Sequence, residues 1–267
     1  MSDPLWFFWG QDTMTWLRYL TLQSAKRVHD DVRLVVRNQP PTRAQYELRQ
    51  EETQPHEGHN WLPDAISLLG KQAVIDLREI APAISQLDLP GVPTSDLLSF
   101  FLMAEYGGSV ADMDILFIRE LPQIVEDVQI PVWGESWNLG WHIPAAFYQG
   151  RPCAEWRDAY DRSYKNAKPG DYFCCSPWKI EFMPNLKGPM RTAGVYPWAN
   201  GDAPLAKWNK YNFHLTEWPQ TPDECFGNHW YAGCNPDIVQ LVTGPDVLEG
   251  MPGAVAAMYR TIKWRDG

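Results

Sequence analysis

Ser95-Asp96-Leu97-Leu98-Ser99-Phe100-Phe101-Leu102-Met103-Ala104-Glu105-Tyr106-Gly107-Gly108-Ser109-Val110-Ala111-Asp112-Met113-Asp114-Ile115-Leu116-Phe117-Ile118 is the stretch that settles the architecture. Ser95 to Tyr106 reads as a buried helix, because Leu97, Leu98, Phe100, Phe101, Leu102 and Met103 make it apolar nearly all round. Ser95 suits its N-cap, and Asp96 suits the first turn, where a carboxylate meets the positive end of the helix dipole. Gly107-Gly108 ends the helix, since a left-handed residue there costs glycine nothing. Ser109-Val110-Ala111 then opens a strand that continues through Ile115–Ile118, with Asp112 and Asp114 interrupting it. Residues two apart on a strand share a face, so the two carboxylates are expected side by side.

Paired carboxylates on an apolar element repel each other and are costly to desolvate. A divalent cation relieves both problems, and hard oxygen ligands favour Mg²⁺ or Mn²⁺. Such an ion would bind a diphosphate and neutralise a departing one. The plainer reading is an acidic turn at a strand end, bathed in water.

Outward from this stretch, Leu5–Trp9 is a short apolar run closed by Gly10 and reads as a buried first strand. Thr13 to about Val28 has helical spacing, with Asp12 or Thr13 as its cap, and Val32–Val36 is a second strand. Strand, helix, strand opens an α/β fold. Ala73–Asp76 is a candidate third strand, Pro90–Pro93 a turn, and Ala254–Trp264 a C-terminal helix. Asn38 to Asn60 is a polar insert, helical at most between Thr42 and Glu51. Its His56 and His59 lack the spacing of a zinc-protease helix and are expected in a solvated loop. The expectation is one α/β domain over 1–267, with a Rossmann-like mixed central sheet flanked by helices. Its second half, from about 131, is loop-rich and aromatic.

The chain has 267 residues, a net charge of −10 and 14 Trp, and is long enough to bury a core without disulfides or a structural metal. The acidic balance argues against coating nucleic acid by bulk charge. Locally the sign reverses, with ten Lys or Arg against six Asp or Glu between Arg151 and Tyr211. The five Cys (153, 174, 175, 225 and 234) form no Cys-x-x-Cys pair, and reduced thiols are expected. The N-terminus lacks a basic signal-peptide region, and no apolar run nears the roughly 20 residues of a membrane span. A soluble, cytoplasmic protein is expected. Gly-x-Gly-x-x-Gly, P-loop and Gly-x-Ser-x-Gly motifs are absent.

Ser95-Asp96, the hydrophobic helix, Gly107-Gly108 and Asp112-x-Asp114 together resemble the donor-binding core of the DXD-type GT-A glycosyltransferases. That group includes clostridial-toxin glucosyltransferase domains, yeast initiating mannosyltransferases and capsule enzymes. The close match covers about 20 residues of the chain, and a fainter one covers Leu5 to Val36. Asn228-His229-Trp230-Tyr231-Ala232-Gly233-Cys234 resembles the family's C-terminal His segment, with Cys234 where Ser is usual. Two positions depart: Ser99 stands where the family carries Arg, and Val110 where it carries Tyr.

The resemblance implies a GT-A-like domain, with about 1–130 binding the nucleotide sugar and about 131–267 forming the acceptor side. It implies Asp96, Asp112 and Asp114 as catalytic, with Asp112, Asp114 and His229 on a Mn²⁺ or Mg²⁺ ion. Ser95, Asp96 and Asp112 would contact the donor; Trp9 or Phe8, at the C-terminal end of the first strand, would stack on its base, and Glu135, in a turn downstream of the acids, would line the sugar pocket or belong to a plain polar loop. The donor would be a nucleoside-diphosphate sugar, a UDP-sugar foremost, and the family retains anomeric configuration. The acceptor stays open between a glycan and a nucleic acid, including a phage-type DNA base, because Trp platforms and local basic charge suit both. Two other classes compete: a non-catalytic carbohydrate- or nucleotide-binding module, and a metal-dependent nucleotidyl or phosphoryl transferase. Oligomeric state is not encoded in any of these features, and no membrane partner is expected.

Overall fold

The computed structural model describes residues 3–37, 58–130, 147–171, 173–177, 179–182, 195–196, 226–230 and 236–264. In chain order these form β1 (Leu5–Trp9), α1 (Trp16–Val28), β2 (Val32–Val36), α2 (Leu62–Leu69), a 3₁₀ turn (Lys71–Ala73) and β3 (Val74–Asp76). Then come α3 (Leu77–Ile80), α4 (Pro82–Ser85), α5 (Gly91–Glu105), β4 (Gly108–Ala111), β5 (Ile115–Phe117), β6 (Val128–Gln129) and β7 (Phe147–Gly150). The rest is α6 (Ala154–Asn166), β8 (Val195–Tyr196), β9 (Gly227–His229), α7 (Pro236–Leu241), α8 (Pro245–Glu249) and α9 (Ala254–Trp264).

The larger sheet has the order β3-β2-β1-β4-β7-β6. Its first four strands are parallel, with Leu5 opposite Val32 and Trp6 opposite Val110. β7 and β6 close it antiparallel. Both faces are covered, as a mostly parallel sheet requires. Leu5, Phe7 and Trp9 pack with Leu22 and Ala25 of α1 and Ala65 of α2. Trp6, between them in sequence, points the other way and packs with Leu97 and Phe100 of α5 and Trp156 of α6. The period-two alternation of β1 thus separates the two helical layers. A second sheet, β5-β9-β8, packs Leu116 and Trp230 against the inner stripe of α1 and against α7, α8 and α9. This mixed α/β arrangement, a central sheet flanked by helices, is the expected class. No described helix is long and apolar enough to cross a membrane.

β1, β2 and α9 lie where the sequence predicts them. Two helix starts differ. α1 begins at Trp16, with Thr15 at its N-cap, rather than at Thr13. The reason is tertiary: the Met14 N–H donates to the Asn60 side chain (2.9 Å), and Asn60 donates back to the Asp12 carbonyl (3.1 Å). Those contacts hold the segment before α1 extended. α5 begins at Gly91, a turn before Ser95, so the expected Pro90–Pro93 turn is largely the helix's own start. Pro93 is tolerated there because the first-turn N–H groups have no partner in the helix. Asp96 therefore lies in the second turn, not the first. The polar insert is outside the described residues except at its end, where His59 bonds Asp64 at 2.9 Å. Cys153, Cys174 and Cys175 are free thiols, as expected. The Sγ atoms of the adjacent pair lie 3.6 Å apart, far beyond the roughly 2.05 Å of a disulfide. Cys225 and Cys234 lie outside the described residues.

Gly107 and Gly108 do what the sequence requires of them. Their φ angles are 65° and 92°, and a Cβ on Gly108 would lie 2.3 Å from the Pro4 carbonyl oxygen. That carbonyl accepts the Ser109 N–H, so the backbone cannot retreat without losing the start of β4. Gly108→Ala is expected to cost on the order of 3 kcal/mol, read as a lowered midpoint in urea unfolding.

Candidate metal centre

The two acids come together by a route the strand pattern does not predict. Asp112-Met113-Asp114 is a turn, not part of a strand, and it carries the chain from β4 in the large sheet to β5 in the small one. Strand alternation therefore does not align the carboxylates. Met113, 4% exposed, anchors the turn by pointing into the core with Ala111, Phe117 and Phe147. Its neighbours are left to project the other way. β9 adds the third group: Ile115 lies opposite His229, and the Trp230 N–H donates to the Asp114 carbonyl at 2.9 Å.

Ligand atoms of Asp112, Asp114 and His229 all lie within 4.8 Å of one another. His229 Nε2 is 3.1 Å from Asp114 Oδ1. Asp96, buried on α5, adds a third negative charge from the opposite layer and acts on Asp112 through space. Burial, then Asp114, pushes the Asp112 carboxyl up to about 7, with His229 and Arg18 pulling the other way. Three neighbouring acids at a buried sheet end are what a cation would compensate, and two carboxylates with an imidazole form a fitting donor set. The cluster sits just past the C-terminal end of β4, beside that of β1, where open α/β sheets gather ligands.

Other predicted residues are distributed unevenly around it. Trp9, buried at the end of β1, faces Arg18; Phe8 is half-buried on the α5 side. Ser95 is half-buried on α5, where its carbonyl accepts the Ser99 hydroxyl at 2.7 Å. Glu135 lies outside the described residues, as does the His segment beyond Trp230.

Two residues at the site were not singled out from the sequence. Arg18 on α1 places Nη1 3.9 Å from Asp114 Oδ2 and its guanidinium carbon 5.2 Å from the centre of the Trp230 ring. The hint available was a cation early in α1, set amid apolar spacing and away from Lys26 and Arg27 at the helix end. Tyr148 on β7 is the cross-strand partner of Val110 and is fully buried. Burial, then Asp96 and Asp112, holds its hydroxyl well above the ordinary tyrosine range. No described residue accepts that hydroxyl. Only strand pairing brings Tyr148 here, so no local motif could reveal it.

No family model matches the chain, and no curated protein matches it in sequence. Among solved structures, the PaToxG glycosyltransferase resembles it with a TM-score of 0.43 at 11% identity, over 68% of this chain and 66% of that one.

Two outcomes follow from the electrostatics. A carboxyl raised in the fold stabilises the protein in its protonated form. That contribution is full below the unfolded value near 4 and is lost as pH rises through about 7. Asp112→Asn, which mimics the protonated form, should therefore raise the metal-free melting temperature, and by clearly more at pH 8 than at pH 5. Tyr148→Phe removes a buried hydroxyl without a described acceptor and should stabilise the metal-free protein by about 1 kcal/mol in urea unfolding.

Proposed function

We propose that this chain is a divalent-metal-dependent glycosyltransferase, moving a sugar from a nucleoside-diphosphate donor to an acceptor hydroxyl. The observation that supports this reading is the convergence of Asp112, Asp114 and His229 at the C-terminal end of the parallel strands, with Asp96 near them. A binding module needs no such concentration of buried acid, which costs stability unless a cation is held there.

In this reading Asp112, Asp114 and His229 hold the ion. Mn²⁺ suits a set that mixes carboxylates with an imidazole. When bound, the ion neutralises charge on the departing diphosphate. Asp96 accepts hydrogen bonds from sugar hydroxyls, with Ser95 beside it on the same helix. Asp112 also serves the ribose, and Trp9 or Phe8, on opposite faces of β1, stacks on the base of a UDP-type donor. Glu135 belongs to the sugar pocket. The bond from the anomeric carbon to the diphosphate oxygen breaks, and the acceptor oxygen bonds that carbon as its proton leaves. Rate comes from positioning and fixed charges rather than from a covalent step on the protein. The acceptor side is the half from about 131 onward. Its basic, aromatic character suits a glycan or a nucleic acid, and loss of DNA binding with rising salt would favour the latter.

Hydrolysis of UDP-sugars without acceptor tests the reading. Turnover is expected with Mn²⁺ and not with chelator, and Asp114→Asn should lower it by about 100-fold or more. An Asp114→Asn protein as active as wild type overturns the proposal. A product carrying nucleotide or phosphate in place of sugar, seen by mass spectrometry, assigns the site to nucleotidyl or phosphoryl transfer instead.

A further inference from the structure

We propose that Tyr148 is a sugar-recognition residue of this site, its phenol O–H donating to a hydroxyl of the donor sugar that also meets the acids. This rests on the glycosyltransferase reading and adds to it a residue from β7, a strand that carries no motif.

Strand pairing sets Tyr148 opposite Val110, two residues before Asp112, and paired residues project to the same face of a sheet. That face is the one covered by α5 and α6. The Tyr148 ring stacks on Phe100 of α5, with centroids 5.5 Å apart and planes 25° from parallel, and Trp156 of α6 lies 5.6 Å away. Phe100 is four residues after Asp96 and so on the same side of α5. The phenol oxygen lies on the ring axis, so the two aromatic neighbours that hold the ring also fix the hydroxyl.

Nothing described in the folded chain uses that hydroxyl. It is closed to water and has no hydrogen-bond partner among the described residues. An unpaired buried donor destabilises a fold, and native structures seldom keep one without a use. Burial, then Asp96 and Asp112, holds the group protonated, so it is a donor at neutral pH.

The groups around it define the ligand. Ionised carboxylates only accept hydrogen bonds, whereas the phenol brings an O–H. A bare cation cannot accept from that O–H. A diphosphate offers acceptors alone and meets the acids as a like charge. A sugar hydroxyl accepts from Tyr148 and donates to a carboxylate at once. A carboxylate offers roughly four lone-pair sites, so it can take a sugar hydroxyl in addition to a partner within the fold.

Tyr148→Phe keeps the ring between Phe100 and Trp156 and removes only the hydroxyl. Its effects on fold and on ligand should have opposite signs. The metal-free variant should melt above wild type, while the bound sugar loses a contact. Titration calorimetry of the full chain at saturating Mn²⁺ reads the second effect. The probes are UDP with UDP-glucose and UDP-N-acetylglucosamine, and GDP with GDP-mannose. Affinity for UDP and GDP should stay within about twofold of wild type, and affinity for whichever sugar nucleotide wild type binds should fall about 5–50-fold. A side chain that merely packed the site would move nucleotide and sugar nucleotide together. Unchanged sugar-nucleotide affinity, or a parallel fall for nucleotide and sugar nucleotide, overturns the inference and leaves the glycosyltransferase reading standing. So does a variant that melts below wild type or does not fold, because the hydroxyl would then serve the fold. Wild-type protein that binds none of the sugar nucleotides overturns that reading and the inference with it.

Discussion

The junction between two sheets governs this molecule. At Asp112-Met113-Asp114 the chain leaves the large sheet at β4 and enters the small one at β5. The transition is held from both sides. Met113 is sunk in the core, and the pairing of β5 with β9 fixes His229 against Asp114. A one-residue slip of that pairing would turn His229 to the other face. The three ligand atoms would then no longer converge. The same junction concentrates negative charge where solvent is scarce, so the structure carries an electrostatic cost at one point.

Much of the surrounding architecture serves to place groups around that point. α5 brings Asp96 from one helical layer, and α1 brings Arg18 from the other. β7 brings Tyr148 beside Val110. The close approach of Gly108 to Pro4 aligns β4 with the start of β1, so that the junction falls next to the C-terminal end of the first strand. The aromatic residues divide accordingly. Trp6 and Trp156 are core, fully enclosed between the sheet and α5 or α6. Trp9 and Trp230 are core as well, and each also lies against the Arg18 guanidinium beside the acid cluster.

Ser99 and Val110 serve packing beside the acid cluster. Ser99 turns its hydroxyl back to the helix carbonyl of Ser95 and is buried, which makes that face of α5 a packing surface. Val110 fills core, while its cross-strand neighbour carries the polar group that reaches toward the acids. A side chain supplied from an adjacent strand occupies the same face as one supplied from the strand itself, because paired residues project together.

The sequence by itself determined the elements whose signals are local. Alternation and length gave β1 and β2, helical spacing gave the bodies of α1, α5 and α9, and Gly107-Gly108 marked the end of α5. It also singled out Asp96, Asp112, Asp114 and His229 as residue types suited to one chemistry. Tertiary structure decided what depends on partners distant in the chain. Asn60 set the start of α1, the change of sheet made a turn of the expected strand at Asp112–Asp114, and the β5–β9 register put His229 beside Asp114. Arg18 and Tyr148 belong to the site only through helix packing and strand pairing. Periodicity reports how a residue stands relative to its own element. It carries no record of which other element will lie across from it, and there the burial of charge and the pairing of strands made the choice.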